Sequence, residues 1–179
     1  MKRTNRKQQL KTIVYKLFMN ERAYNDCVNE HADHLYRFIV KNLKQEEDAK
    51  DIVQSSFEKL WINREKIEAC SAKSYLFTVG YHLMIDHIRK NKRVQLQDDF
   101  SEDGRSQMQH NNNTKVVLME ALNRLNEIQR SLVMLKDYEG YSYEEIGAIT
   151  DLSASQVKVY LHRARLTLKK YIGKPENVQ

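Results

Sequence analysis

The stretch YSYEEIGAITDLSASQVKVYLHRARLTLKKYI, residues 141–172, decides the fold. Ser142 and Glu145 make an S-x-x-E capping box, in which the hydroxyl accepts from the N3 amide and the carboxylate accepts from the cap amide. A helix is therefore predicted to start at Ser142. Three residues, Asp151-Leu152-Ser153, lead to a second box, Ser153 with Gln156. An apolar stripe follows at Val157, Leu161, Ala164, Leu168 and Ile172, which is the spacing of one helix face. Two capped helices around a three-residue turn are helix-turn-helix grammar. The second helix carries Lys158, Arg163, Arg165, Lys169 and Lys170, with no acid from Gln156 to Pro175. Its solvent face would present uncompensated positive charge to phosphates, which points to DNA rather than to a basic helix merely solvated on a bundle.

Composition agrees with an all-helical chain. Across 179 residues there is one proline, Pro175, and only five glycines, so little interrupts a helix. The net charge of +6 comes from 30 bases against 24 acids, and it matters because it is segregated. Bases cluster at Lys2–Arg22, Arg89–Arg93 and Lys158–Lys174; acids cluster at Glu46–Asp51 and Asp98–Asp103. Two cysteines, Cys27 and Cys70, and no leader-like apolar core suit a reduced cytoplasmic protein, and no apolar run reaches the length of a membrane span.

Outward from the helix-turn-helix, five segments are expected. Residues 1–19 form a basic amphipathic extension, with Leu10, Ile13, Val14, Leu17 and Phe18 on one face. Residues 20–93 form a helical domain. Its first helix, from Ala23, carries the stripe Tyr24, Val28, Leu35, Phe38, Ile39 and Leu43. The next starts at Asp48, with Ile52, Val53, Phe57, Leu60 and Trp61 inward and Asp48, Asp51, Gln54, Ser55 and Glu58 on the opposite face. Asp48 and Asp51, placed in its first turn, would each stabilise the helix dipole by ~0.3–1 kcal/mol. Ser71 is expected to cap a further helix through Ile88, with Phe77, Tyr81, Met84, Ile85 and Ile88 inward.

Residues 94–113 break every period and read as a flexible, polar and acidic linker. Helical signal resumes near Val116, and Asn126 with Gln129 resembles a variant capping box for a helix through Lys136. This second helical domain spans residues 114–173, with 174–179 as a tail. The expected class is thus all-α, two small helical domains joined by a linker, the C-terminal one a helix-turn-helix.

Several of these runs carry a family likeness. Asp48-Ala-Lys-Asp-Ile-Val-Gln-Ser-Ser-Phe-Glu-Lys-Leu-Trp61 resembles the core-binding helix of extracytoplasmic-function sigma factors of bacterial RNA polymerase, in the sigma-70 family. Tyr75 to Arg89 looks like their promoter-melting helix. Ala121-Leu122 with Leu125, Gln129-Arg130, the run Glu139 to Ile146 and the run Leu161 to Arg165 look like their upstream-promoter domain. The likeness covers about residues 20–172 in the family's order.

The resemblance implies a transcription initiation factor that binds core RNA polymerase, directs it to promoters and assists −10 melting. It assigns Asp48, Asp51, Gln54, Ser55 and Glu58 to polymerase binding. The loop Glu68–Lys73 and the helix after it would meet the single-stranded −10 element, through Lys73, Tyr75, His82, Arg89 and Lys92. In the C-terminal domain the second helix would enter the major groove of the −35 element. Gln156 can be bidentate to adenine, Lys158 or Arg163 can reach guanine, Val159 can touch a thymine methyl, and His162 shares their side. Arg165, Lys169 and Lys170 suit phosphates, and Ser142 joins the −35 set. An anti-sigma factor is a further expected partner; direct membrane insertion, a cofactor and enzymatic activity are not expected.

This chain departs from the family's usual residues at His82 (Asn), Ser55 (an acid), Tyr75 (Trp), Asn126 (Pro), Asp151 (Gly) and Gln156 (Thr). Two rival readings remain at this point. One is a free-standing helix-turn-helix regulator that acts without polymerase. The other is a metal site on Cys27, His31 and His34, which share a helix face but offer only three local ligands.

Overall fold

A computed structural model of the chain describes residues 19–97 and 114–173. Their elements are α1 (Glu21–Leu43), α2 (Glu46–Asn63), two 3-10 turns (Arg64–Lys66 and Ala69–Ser71), α3 (Ala72–Gln97), α4 (Thr114–Asn123), α5 (Glu127–Val133) running into a π-helical turn (Met134–Tyr138), α6 (Tyr143–Thr150) and α7 (Ala154–Ile172). The fold is all-helical, and no strand forms among the described residues. The amphipathic extension, apart from Met19, the tail and residues 98–113 of the expected linker lie outside the described residues. Contacts divide the chain into two units, residues 1–86 and 87–179.

In the first unit, α1 starts two residues before the expected Ala23 because Asn20 caps it: the Asn20 Oδ1 accepts from the Ala23 amide at 2.8 Å. It ends at Lys44 in the left-handed conformation (φ 65°), whose amide donates to the Val40 carbonyl at 2.8 Å. The core is built from Leu35, Phe38 and Ile39 of α1, Ala49, Ile52, Phe57 and Leu60 of α2, and Leu76, Phe77, Tyr81 and Met84 of α3. Burying each large apolar side chain contributes ~1.5–3 kcal/mol. Phe38 and Phe77 pack with ring centroids 5.6 Å apart. Gly80 permits close approach of α3, since a Cβ there would sit 2.8 Å from Leu35 Cδ1. Buried polar groups are satisfied locally, Ser56 donating to the Ile52 carbonyl and Asn42 to the Phe38 carbonyl.

Trp61 differs from its expected place in the core. It is half-buried, edge-on to Tyr24 (4.8 Å between centroids) and covered by the Arg64 guanidinium 3.9 Å from its ring. Ser71 lies in the 3-10 turn that precedes α3, and α3 runs to Gln97, so residues 94–97 of the expected linker are helical.

The second unit packs Ala121, Leu122, Leu125, Leu132, Leu135, Ile146, Ile149, Val157, Leu161 and Ala164 into one core. Asn126 caps α5 as expected, its Oδ1 accepting from the Gln129 amide at 2.8 Å. Arg130, 6 % exposed, crosses this core. Its Nε and Nη2 donate to the Leu122 and Leu125 carbonyls, both at 3.0 Å, at and just past the end of α4, where the Leu122 carbonyl also accepts from the Leu125 amide at 3.2 Å. No helix among the described residues is long and apolar enough to cross a membrane.

Candidate partner and nucleic-acid interfaces

α2 begins at Glu46, two residues before the expected start, and Gln45 gives it no side-chain cap. Its first turn therefore holds Glu46, Glu47 and Asp48. Asp51 lies past that turn, which corrects the reading of it as a dipole partner: the helix field fades within a turn. Asp51, Gln54 and Glu58 are exposed and fall at i, i+3 and i+7, while Asp48 and Ser55 beside them are half-buried. The buried Ala49, Ile52, Ser56, Phe57 and Leu60 occupy the opposite side. The same line continues to Ile62, an isoleucine 66 % exposed that sequence reasoning missed. Its signal was available, because Ile62 follows Glu58 by four residues.

On α3, Tyr75, His82 and Arg89 recur every seven residues and so follow one line along the helix. The Tyr75 hydroxyl accepts from Asn63 Nδ2 at 3.2 Å, and the His82 ring stands edge-on to Tyr81 at 5.5 Å. Arg89 and Lys92 are exposed. Lys73 leaves this line: its ammonium lies 5.9 Å from the Phe77 ring centroid, on the side of α3 that carries the core.

Both capping boxes of the helix-turn-helix form. The Glu145 carboxylate accepts from the Ser142 amide at 2.7 Å and the Ser142 hydroxyl from the Glu145 amide at 3.1 Å. At the second box, the Ser153 hydroxyl accepts from the Gln156 amide at 3.2 Å. The turn is closed by Asp151 in the left-handed conformation (φ 57°) and by the Leu152 amide donating to the Gly147 carbonyl at 3.1 Å.

The caps redefine two of the expected DNA contacts. Gln156 Oε1 accepts from the Ser153 amide at 2.8 Å and from its hydroxyl at 2.9 Å. A bidentate contact to adenine needs that same oxygen, so in this state Gln156 offers only its NH2 group. The Ser142 hydroxyl is engaged as a cap acceptor and retains its O–H to donate.

Along α7, Val157, Leu161 and Ala164 are buried, Leu168 is half-buried, and Ile172, expected inward, is 37 % exposed at the helix end. Helical geometry sorts the exposed residues into three rows. Ser155, Val159, His162 and Leu166 form the crest, opposite the buried stripe. Gln156 and Arg163 lie on one flank. Lys158 and Arg165 lie on the other, where Arg165 Nη2 meets Asp137 Oδ1 at 2.5 Å and the Lys158 ammonium sits 5.3 Å from the Tyr143 ring. Crest and flanks hold no acid.

The cysteine–histidine trio is not assembled for a metal. Cys27 is buried, and burial, with Glu30 adding to it, pushes its thiol up to about 11. Among the described residues no group of three or more His, Cys, Asp or Glu is arranged to hold a metal ion.

Comparison with known proteins agrees with this architecture. Residues 27–94 match the family model for sigma-70 region 2, and residues 115–168 the model for sigma-70 region 4. The ECF RNA polymerase sigma factor SigE of Mycolicibacterium smegmatis is 28 % identical over 160 residues, which is 85 % of this chain; the chain spans 62 % of that relative's length. The RNA polymerase sigma factor SigV of Bacillus subtilis is 30 % identical over 139 residues, 77 % of this chain and 84 % of the relative. Among solved structures, the sigma factor RpoE of Bartonella quintana, in complex with the anti-sigma factor NepR, superposes with a TM-score of 0.71 at 25 % identity, covering 85 % of this chain and 98 % of the other. Both sigma-70 regions in family order, and a relative matched over most of its length, place the chain among the extracytoplasmic-function sigma factors of bacterial RNA polymerase.

Proposed function

We propose that the chain binds core RNA polymerase through α2, meets the −10 element with α3 and reads the −35 element with α7, acting in the cytoplasm as a binding factor and not as an enzyme. The observation that carries this reading is the exposed line Asp51, Gln54, Glu58 and Ile62. Asp51 caps nothing, and an acidic row ending in an exposed isoleucine is an interface design: charge steers the encounter and an apolar residue anchors it.

On α3, the line Tyr75, His82 and Arg89 combines rings that can stack on unpaired bases with a cation for phosphate. On α7, the crest residues Val159 and His162 and the flank residue Arg163 are the base readers, Arg163 by a bidentate contact to guanine. Lys158 and Arg165, on the flank nearest Asp137, together with Lys169 and Lys170, hold phosphates. An anti-sigma factor is the regulator this reading expects, as RpoE of Bartonella quintana has in NepR.

The test is the double substitution Asp51→Ala with Gln54→Ala. Core-polymerase affinity is expected to fall about tenfold or more, as for loss of an interface hot spot. Helical content should be retained, since both side chains point away from the core. Unchanged affinity would leave the α2 row without its role.

A further inference from the structure

Arg165 is on the basic flank of α7, yet its guanidinium is held by an acid from outside the helix-turn-helix. Asp137 lies in the π-helical turn Met134–Tyr138, 28 residues earlier, and its Oδ1 accepts from Arg165 Nη2 at 2.5 Å. The pair is about half exposed on both sides. The Asp137 hydrogen bond, opposed by a small desolvation and aided by Tyr143, holds the Arg165 proton more firmly than usual. Around the same ring lie two further cations. The Lys136 ammonium is 4.8 Å from the Tyr143 centroid and donates to the Tyr141 carbonyl at 2.9 Å; the Lys158 ammonium is 5.3 Å away on the other helix. Lys158 precedes Arg165 by seven residues, so the two stand in one row on α7.

Resting on the −35 reading by α7, we propose that Asp137 is a positioning residue for the DNA face, acting through Arg165. An arginine on an exposed helix row samples many rotamers, and ordering it on a phosphate costs binding energy. Asp137 does that ordering in advance. A guanidinium has five N–H donors in a rigid fork, so a carboxylate and a tyrosine on its inner side leave donors for a phosphate oxygen. The carboxylate also offsets repulsion among Lys136, Lys158 and Arg165, which lets three cations converge on one patch. The π turn makes this possible, because its i→i+5 bonding, seen as the Glu139 amide donating to the Met134 carbonyl at 3.0 Å, adds a residue to the turn and redirects its side chains.

Removing an acid beside a polyanion site should tighten DNA binding if Asp137 only neutralises Arg165. If Asp137 positions Arg165, Asp137→Asn should weaken it by roughly fivefold, the worth of one pre-ordered side chain. The full chain assembled with core polymerase would be titrated on a promoter fragment across a salt series, as wild type, Asp137→Asn, Asp137→Glu, Arg165→Ala and the Asp137→Asn/Arg165→Ala double variant. Asp137→Glu is expected to retain most of the affinity. In the Arg165→Ala background, Asp137→Asn should no longer weaken binding and should tighten it slightly. Unchanged or tighter binding of Asp137→Asn alone would overturn the positioning role, as would an equal weakening with and without Arg165. Replacing the −35 element by unrelated sequence separates the two claims: if wild-type affinity does not change, the −35 reading has failed; if it drops while Asp137→Asn tightens, only the positioning role has.

Discussion

Arg130→Ala is expected to unfold the C-terminal unit while the first unit stays folded. Arg130 is 6 % exposed and donates to two carbonyls, those of Leu122 and Leu125, at and just past the end of α4. Burial lowers the affinity of this guanidinium for its proton, with Glu127 opposing, yet an arginine stays charged at any ordinary pH. Truncation takes the arginine donor from both carbonyls, leaves the Leu122 carbonyl only the Leu125 amide at 3.2 Å, and opens a cavity, at about 3–5 kcal/mol. That is most of the stability of a domain this small, which runs at ~0.05–0.15 kcal/mol per residue. Arg130→Lys should recover only part of it, since one ammonium cannot span two carbonyls as a planar fork does. The chain's single tryptophan, Trp61, makes the experiment clean because it reports the first unit alone. Its fluorescence transition should be unchanged, and circular dichroism should lose a second, separate transition. Two unchanged transitions would show that Arg130 contributes little.

Gly147→Leu is expected to abolish −35 preference without touching polymerase binding. A Cβ at Gly147 would sit 2.5 Å from the Leu152 carbonyl oxygen, which is backbone and cannot rotate aside. The same turn is held by the Leu152 amide on the Gly147 carbonyl and by Asp151 in the left-handed region. Overpacking of this kind costs ~1–3 kcal/mol, more than the ~1 kcal/mol gained by removing a mid-helix glycine. A leucine must push the turn away from α6 and tilt α7 against the groove, where small misplacements break bidentate contacts. A −35 substitution series should flatten, with core affinity as in wild type. A series as steep as the wild type's would mean that α7 does not depend on this contact.

What the sequence revealed and what it concealed follow from the range of the interactions. The boxes at Ser142/Glu145 and Ser153/Gln156 and the Asn126 cap each join residues three positions apart, and all were legible. Starts without that chemistry were misplaced. α2 begins at Glu46, behind a Gln45 that gives no side-chain cap, which moved Asp51 out of the first turn. Lys44 ends α1 in a conformation that usually announces itself with glycine. The Gln156 box was legible, and the oxygen that caps in it cannot also read adenine. Pairings far apart in sequence were beyond reach. Nothing near Arg130 says that it will be buried against α4, and nothing near Arg165 says that Asp137 will hold it. Ile62 was within reach, since it follows Glu58 by four residues on the exposed line of α2.

The most direct test of the account is run-off transcription from a genomic fragment library with core polymerase, with and without the purified chain. The expected result is a set of new transcripts, dependent on the chain, whose start sites share −35 and −10 elements at fixed spacing, and which vanish with Asp51→Ala/Gln54→Ala. No chain-dependent transcripts, together with tight, palindromic protection of duplex DNA by the chain alone, would contradict it.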